Sequence, residues 1–135
     1  LLSFDGKSLW ENSKEVTVKE NTSINVYEIP KDEFEKFDLK SSVLKVNWEE
    51  VKINYFFAKP KDLKLQKPNI EIKIINDFMI EISSDVLAKD VFLSSENEVF
   101  FEDNYFDLLP NDKRIIKLSK AAKEIKVKSL FDTIK

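Results

Sequence analysis

Residues 70–82 read IEIKIINDFMIEI, and this stretch decides the predicted fold. Isoleucine alternates with charged residues on both sides of Asn76 and Asp77. Such a period of two places successive side chains on opposite faces of a pleated strand. Asn and Asp tolerate the left-handed backbone of a tight turn better than other non-glycine residues. The stretch therefore predicts a β-hairpin with one apolar face.

The same period recurs along most of the chain. Residues 44–57 predict two more strands joined by a turn at Glu49 and Glu50, and Asp5-Gly6 predicts a turn between two strand ends. Other short apolar runs predict strands at residues 16–18, 24–29, 91–94, 99–101, 114–118 and 125–127. Only residues 30–37 and 119–124 are typical of short helices. Short strands separated by frequent turns indicate an all-β antiparallel sandwich or barrel.

A basic segment bracketed by Pro60 and Pro68 interrupts the apolar pattern. Proline cannot donate to a strand ladder, so this segment predicts a linker or an edge. We therefore divide the chain into a first unit at residues 1–60, a linker at residues 61–68 and a second unit at residues 69–135. The first unit has few strands and begins without a lead-in, so we expect a truncated sandwich.

The composition excludes several classes of function. The 135 residues include no His, no Cys and one Gly, which rules out a Ser-His-Asp or Cys-His catalytic site, a thiolate zinc site and a glycine-rich phosphate loop. We expect no cofactor. A net charge of −3 with interleaved acids and bases disfavours nucleic acid, and 35% charged residues disfavour a membrane segment. The absence of Cys leaves the compartment open.

Carboxylates are numerous but are not predicted to form a reactive site. A glycosidase needs two converging carboxyl groups, one of them desolvated. The candidates lie on the polar side of strands or in turns, at Glu71, Glu81, Glu49, Glu50, Asp112 and Glu124. Glu102, Asp103, Asn104 and Asp107 offer oxygen ligands for Ca²⁺ but lack the spacing of an EF-hand loop. We predict no catalytic residue, no cofactor-binding residue and no metal site.

Aromatic residues are the most distinctive part of the inventory. Trp48, Tyr55 and Phe57 share the alternation of the aliphatic residues and are predicted to be in the core. We expect three others, Phe56, Phe92 and Phe106, on the opposite face, where they favour packing against another domain over stacking on a sugar. The position of Trp10 near a strand end is compatible with the core and with an exposed surface. Residues 21–23, Asn-Thr-Ser, form a glycosylation sequon, which matters only in a eukaryotic secretory protein.

Several blocks of sequence resemble the two last Ig-like domains of the β-mannosidases of glycoside hydrolase family 2. Residues 4–11, 16–23 and 55–63 are similar to the penultimate domain. Residues 80–93, 103–110 and 125–130 are similar to the C-terminal domain. The most distinctive block within them is Asn104 to Pro110. One departure is Asn111-Asp112, where the family usually continues Pro-Gly-Glu; Asn is able to adopt the same left-handed turn. The other is the missing beginning of the penultimate domain.

The resemblance implies Ig-like sandwich modules from an exo-acting, retaining enzyme that removes terminal β-mannose. The nucleophile and acid/base of that family lie in a (β/α)8 barrel upstream, and no position here matches their motifs. The expected partners are therefore upstream domains of the same polypeptide, with carbohydrate bound only by the parent enzyme. Exposed faces of the truncated sandwich also predict self-association. The compartments implied are lysosomal in animals, and periplasmic, secreted or cytoplasmic in bacteria.

Two other interpretations stay open at this point. The second unit could be a carbohydrate-binding module, which requires a flat row of exposed aromatic residues. Alternatively, the chain could be a free-standing adhesion or scaffold module, which the coding sequence upstream of Leu1 would reveal.

Overall fold

A computed structural model of the chain describes residues 1–15 and 29–133. The nine strands of these residues are β1 (Leu2–Ser3), β2 (Ser42–Trp48), β3 (Val51–Phe56), β4 (Ile70–Asn76), β5 (Met79–Ser84), β6 (Ala88–Ser94), β7 (Phe106–Leu108), β8 (Lys113–Lys117) and β9 (Lys126–Lys128). Short 3-10 helices span Lys31–Phe34, Leu39–Ser41, Pro60–Asp62 and Leu130–Thr133. The predicted strand at residues 16–18, most of that at 24–29, and the sequon lie outside the described residues.

The C-terminal part is a sandwich of two three-stranded sheets, in the orders β4-β5-β8 and β7-β6-β9. The hairpin predicted at residues 70–82 forms the first sheet, where Ile72 pairs with Ile82 and Ile80 pairs with Ile116 of β8. Side chains of both sheets meet in one core, made by Ile80, Ile82, Ala88, Val91, Leu93, Phe106, Leu108, Ile116 and Leu118. All are buried, so the apolar alternation is satisfied here as predicted.

The N-terminal part contributes one three-stranded sheet in the order β1-β2-β3. Residues opposite each other in an antiparallel pair share a face. Val43 pairs with Phe56 on one face, whereas Val46 pairs with Ile53 on the other. Glu49 has a φ of 51°, so the tight turn predicted at Glu49 and Glu50 joins these two strands through a left-handed residue.

A second apolar core joins this sheet to the sandwich. It contains Phe4, Val43, Leu63, Leu87 and Leu109, all buried. The backbone carbonyl of Phe4 accepts a hydrogen bond of 2.8 Å from the amide of Leu87. The sheet and the sandwich therefore share a packed interface, and the segment around Leu63 is part of it.

Asparagine side chains explain two local differences from the predictions. Residues 119–124 are not helical, because the amide group of Asn97 accepts from the Lys123 nitrogen at 2.8 Å and donates to the Ala121 carbonyl at 3.0 Å. The Asn76 side chain accepts from the Phe78 nitrogen at 2.8 Å. The turn consequently lies at Asp77 and Phe78, without positive φ at Asn76 or Asp77.

Of three further local predictions, one is wrong and two are met. Residues 99–101 form no strand, only a single bridge between Phe101 and Leu118. Residues 30–37 contain one short helix, the 3-10 helix Lys31–Phe34, in agreement with the short helix predicted there. Asn111 has a φ of 68°, which confirms the left-handed turn predicted for it.

Candidate interaction surfaces

One face of the β2–β3 hairpin is apolar and exposed. Its members, which we call the β2–β3 face, are Val46, Trp48, Val51, Ile53 and Tyr55, with exposed fractions of 43%, 40%, 56%, 54% and 55%. The strand register places Trp48 opposite Val51 and Val46 opposite Ile53, so the side chains are contiguous. Contiguous exposed apolar patches are typical of surfaces that contact another protein, a membrane or a ligand.

The prediction that Trp48, Tyr55 and Phe57 belong to the core is wrong. Trp48 and Tyr55 are exposed, and Phe57 is half-buried against the edge of Phe34, with ring centroids 5.7 Å apart. Alternation identified correctly which residues share a face. It could not show that, within residues 1–15 and 29–133, no second sheet packs on that face.

Trp10 packs next to the β2–β3 face. The ring of Trp10 meets that of buried Phe34 edge-on at 5.2 Å, and its indole nitrogen donates to Glu33 at 3.0 Å. Beside them lies a hollow of about 260 Å³ lined by Trp10, Leu44, Val46 and Trp48, among other residues. Trp10 is therefore anchored in the structure, and the hollow extends the apolar surface of the face.

The opposite face of the same hairpin packs against the sandwich. The Lys89 ammonium lies 4.5 Å from the ring centroid of Phe56, and Lys45 pairs with Asp112 at 3.4 Å. Phe56 thus has the inter-unit packing that the sequence predicted for it. One face of the hairpin packs within the chain, and among the described residues no second sheet covers the other face.

A second exposed aromatic surface lies on the sandwich. The rings of Phe92 and Tyr105 stack with centroids 5.3 Å apart and an interplanar angle of 30°. Tyr105 is 68% exposed and Phe92 36%. They line a hollow of about 370 Å³ together with Asp90, Lys128, Ser129, Leu130 and Thr133. No motif in the sequence singled out Tyr105, which entered only as part of a distinctive block.

Phe106, expected on an outward face, is in fact buried in the sandwich core. The backbone explains this, because the Tyr105 amide donates to the Val91 carbonyl at 2.6 Å while Tyr105 has a φ of 59°. This left-handed residue turns the chain so that Phe106 pairs with Val91 and faces inward. The Arg114 guanidinium lies 4.5 Å from the centre of the Phe106 ring.

The candidate calcium ligands all have other partners. Glu102 accepts from the Lys117 amide at 3.1 Å, and Asp103 bonds the Arg114 side chain. Asn104 accepts from the Leu93 amide at 2.7 Å, and Asp107 from the Asp90 amide at 3.0 Å. The four side chains therefore hydrogen-bond to neighbouring parts of the sandwich. Among the described residues, His, Cys, Asp and Glu form no group of three or more that could hold a metal ion.

The candidate catalytic carboxylates are dispersed over the surface. Glu49, Glu50, Glu71 and Glu124 are exposed, and half-buried Glu81 lies 3.9 Å from Lys113. Half-buried Asp112 pairs with Lys45. The absence of catalytic residues stays a prediction, and these positions offer no water-excluded pair of carboxyl groups of the kind that glycosidases use.

Lys64 of the linker lowers the pKa of Asp38 in the first unit. The Lys64 ammonium donates to Asp38 at 2.7 Å and is the main reason that the pKa of Asp38 lies below its usual range. Asp38 also accepts from the Lys40 amide at 3.2 Å, at the start of the helix Leu39–Ser41. The Lys64 amide donates to the Lys40 carbonyl at 2.9 Å, so the residues around Lys64 are fixed to the first unit.

Comparison with known proteins identifies the family of each part of the chain. The family described as an Ig-fold domain, Ig_mannosidase, matches residues 65–133, and that described as a mannosidase Ig/CBM-like domain matches residues 1–62. A solved β-D-mannosidase from Dictyoglomus thermophilum has a similar fold, with a TM-score of 0.69 and 24% identity over 95% of the present chain. The chain spans 17% of that protein. No curated protein sequence matches the chain.

These findings confirm the predicted all-β fold of Ig-like antiparallel sandwich type. Within the residues that the structure describes, no helix is both long and apolar enough to cross a membrane.

Proposed function

The chain belongs to the family of mannosidase Ig-fold domains, and from this premise we propose that it is the non-catalytic C-terminal region of an exo-acting β-mannosidase. The parent enzyme would hydrolyse terminal non-reducing β-D-mannose residues by a retaining mechanism. The catalytic glutamates would lie in an upstream barrel. The present chain would support that barrel by packing against it.

The observation on which this role rests is the β2–β3 face. Its five side chains are 40–56% exposed, although Val43 and Phe56 on the other face of the same hairpin pack in the core shared with the sandwich. Fully burying a Val or Ile side chain is worth about 1.5–3 kcal/mol, so covering these half-exposed residues would contribute roughly 1 kcal/mol each. Upstream domains of the same polypeptide are the partner that a member of this family has available.

The domain division is part of the proposal. We propose a penultimate Ig-like domain at residues 1–60, a linker at residues 61–68 and a C-terminal Ig-like domain at residues 69–135. Separate family matches to residues 1–62 and 65–133 support it. The linker is not free, because Leu63 is buried in the core that joins the two units.

A pair of lysine substitutions tests the packing role. Ile53→Lys introduces a charge into the β2–β3 face, and Ile74→Lys introduces one at a 67% exposed position on β4. In the 135-residue chain at low concentration both variants should unfold at the same denaturant midpoint as the parent. In the full-length polypeptide only Ile53→Lys should lower thermal stability, because only that charge would be buried. Equal effects of both variants in the full-length polypeptide would refute the packing role.

An activity assay tests the non-catalytic assignment separately. We expect the 135-residue chain to release no aryl group from an aryl β-mannoside. Turnover that is abolished by substitution of one of its own carboxylates would refute the assignment. The coding sequence upstream of Leu1 gives a further test, since a barrel supports the proposal, whereas a stop codon or a secretion signal would favour a free-standing module.

A further inference from the structure

The exposed Phe92–Tyr105 pair has features that packing alone does not explain. Tyr105 rests on Phe92 with centroids 5.3 Å apart, yet is still 68% exposed, so much of its ring surface faces solvent. An aromatic residue that is held in place from one side and open on the other presents a flat, preorganised apolar surface. Such a surface binds a ligand without first paying for side-chain ordering.

Among the described residues, two of the five non-glycine residues with a positive φ line this hollow. Asp90 has a φ of 51° and Tyr105 a φ of 59°, and both residues line the same hollow. Left-handed backbone is costly for a bulky residue such as Tyr, and strain of this kind clusters at ligand sites. A hydrogen bond holds each of the two residues in place, because Asp107 accepts from the Asp90 amide and the Tyr105 amide donates to the Val91 carbonyl.

The charges around the hollow favour an uncharged ligand. Asp90 provides a carboxylate acceptor and Lys128 an ammonium donor, so their formal charges cancel. The Lys89 ammonium lies 3.5 Å from both Asp90 and Asp107, so this second cation is balanced by a second carboxylate and the local charges still sum to zero. The Thr133 hydroxyl donates to the Leu130 carbonyl at 2.8 Å and retains its acceptor capacity.

We propose that this hollow binds the pyranose ring of a neutral hexoside. A pyranose ring combines an apolar C–H face, which stacks on an aromatic ring, with a rim of hydroxyl groups that both donate and accept. The hollow, about 370 Å³, is at the small end of ligand sites and fits a single sugar ring better than an extended peptide. The site is separate from the β2–β3 face and goes beyond the proposed packing role.

Titration of the ¹⁵N-labelled 135-residue chain with methyl β-D-mannopyranoside tests the proposal by NMR. We expect saturable amide shifts confined to the residues that line the hollow and to their neighbours. Cyclohexanol is the control ligand, because it has an apolar ring of similar size with only one hydroxyl group. It should give weaker shifts that do not saturate in the same range.

Tyr105→Gly is the decisive variant. Glycine adopts a φ of 59° without strain, so the ring is removed while the backbone is kept. We expect roughly a tenfold loss of affinity, the size expected for losing one ring contact. Phe100→Ala is the matched control, since Phe100 is 84% exposed and does not line the hollow, and its affinity should match the parent.

Three results would overturn the sugar site. One is the absence of saturable shifts around the hollow, and another is an equal loss of affinity in Phe100→Ala and Tyr105→Gly. The third is a change of sedimentation behaviour in Tyr105→Gly without any sugar-dependent shift in the parent, which would identify the pair as a protein contact. None of these results bears on the packing role, which is tested at Ile53.

Discussion

Gly6 lies directly against Pro110, across the interface between the N-terminal sheet and the sandwich. A Cβ atom at Gly6 would be 2.9 Å from the Cβ of Pro110, closer than such atoms normally approach. Gly6 also has a φ of 92°, which side chains other than hydrogen rarely adopt. The single glycine of the chain is thus used where a tight turn meets the other unit.

Gly6→Ala should therefore destabilise the chain by about 2 kcal/mol or more, through backbone strain and through the contact with Pro110. Urea unfolding followed by circular dichroism measures the effect. Lys7→Ala is the control, because Lys7 is the exposed neighbour in the same turn, and it should change stability by less than about 0.5 kcal/mol. A Gly6→Ala chain as stable as this control would contradict the contact.

A double-mutant cycle separates the two causes. Pro110→Gly removes the Cβ that Gly6→Ala would meet, whereas Pro110→Ala would keep it. If the contact contributes, the penalty of Gly6→Ala should be smaller in the Pro110→Gly background than in the Pro110→Ala background. Equal penalties in the two backgrounds would assign the whole effect to backbone strain.

The shared core predicts cooperative unfolding of the two units. Leu109 is 2% exposed and packs with Phe4 and Val43 of the other unit. Leu109→Ala should cost about 2–5 kcal/mol and lower amide protection in β2 and β3 as well as in the sandwich. Ile75→Ala, at a 45% exposed position, should leave protection unchanged in both units. Loss of protection confined to the sandwich would show that the units unfold independently.

The β2–β3 face predicts concentration-dependent self-association of the 135-residue chain. With no other partner present, exposed Val51, Ile53 and Tyr55 should pair with a second copy as the concentration rises. Sedimentation equilibrium should show this in the parent and in Ile74→Lys but not in Ile53→Lys. A parent chain that is monomeric at all concentrations would contradict the expected self-association.

The Asp38–Lys64 pair predicts a pH effect with a definite sign. The folded-state pKa of Asp38 is lowered from its ordinary value of 3.8, chiefly by the hydrogen bond from Lys64. Its contribution to stability is therefore present above pH 3.8 and is lost as the pH falls through the lower, folded-state pKa. NMR titration should give a midpoint for Asp38 below 3.8 that rises in Lys64→Met. An unchanged midpoint in that variant would contradict the assigned cause.

The sequence predicted both strands and burial correctly where the apolar face of a strand is covered by a second sheet. Residues 70–82 form the expected hairpin, because Ile80 and Ile82 alternate into a core that has side chains on both sides. The same alternation in residues 44–57 gave the correct strands and turn but the wrong burial of Trp48 and Tyr55. Period alone assigns residues to faces, and whether a face is covered depends on what packs there.

Other features depend on tertiary contacts that a local pattern does not contain. Asn97 holds residues 121–123 in a non-helical path, and the left-handed backbone of Tyr105 turns Phe106 inward. Leu87 and Leu109 meet Phe4 across the interface between the two units, far from it in sequence. The exposed Phe92–Tyr105 pair likewise joins residues from separate segments, so sequence spacing gave no signal for it.

The packing of the β2–β3 face is tested most directly by comparing side-chain oxidation in two proteins. Hydroxyl-radical footprinting should label Trp48 and Tyr55 in the dilute 135-residue chain, where they are 40% and 55% exposed. In the full-length polypeptide both should be protected, whereas Phe100, 84% exposed and outside the face, should be labelled equally in both proteins. Equal labelling of Trp48 and Tyr55 in the two proteins would contradict the proposal that this face packs against the upstream domains.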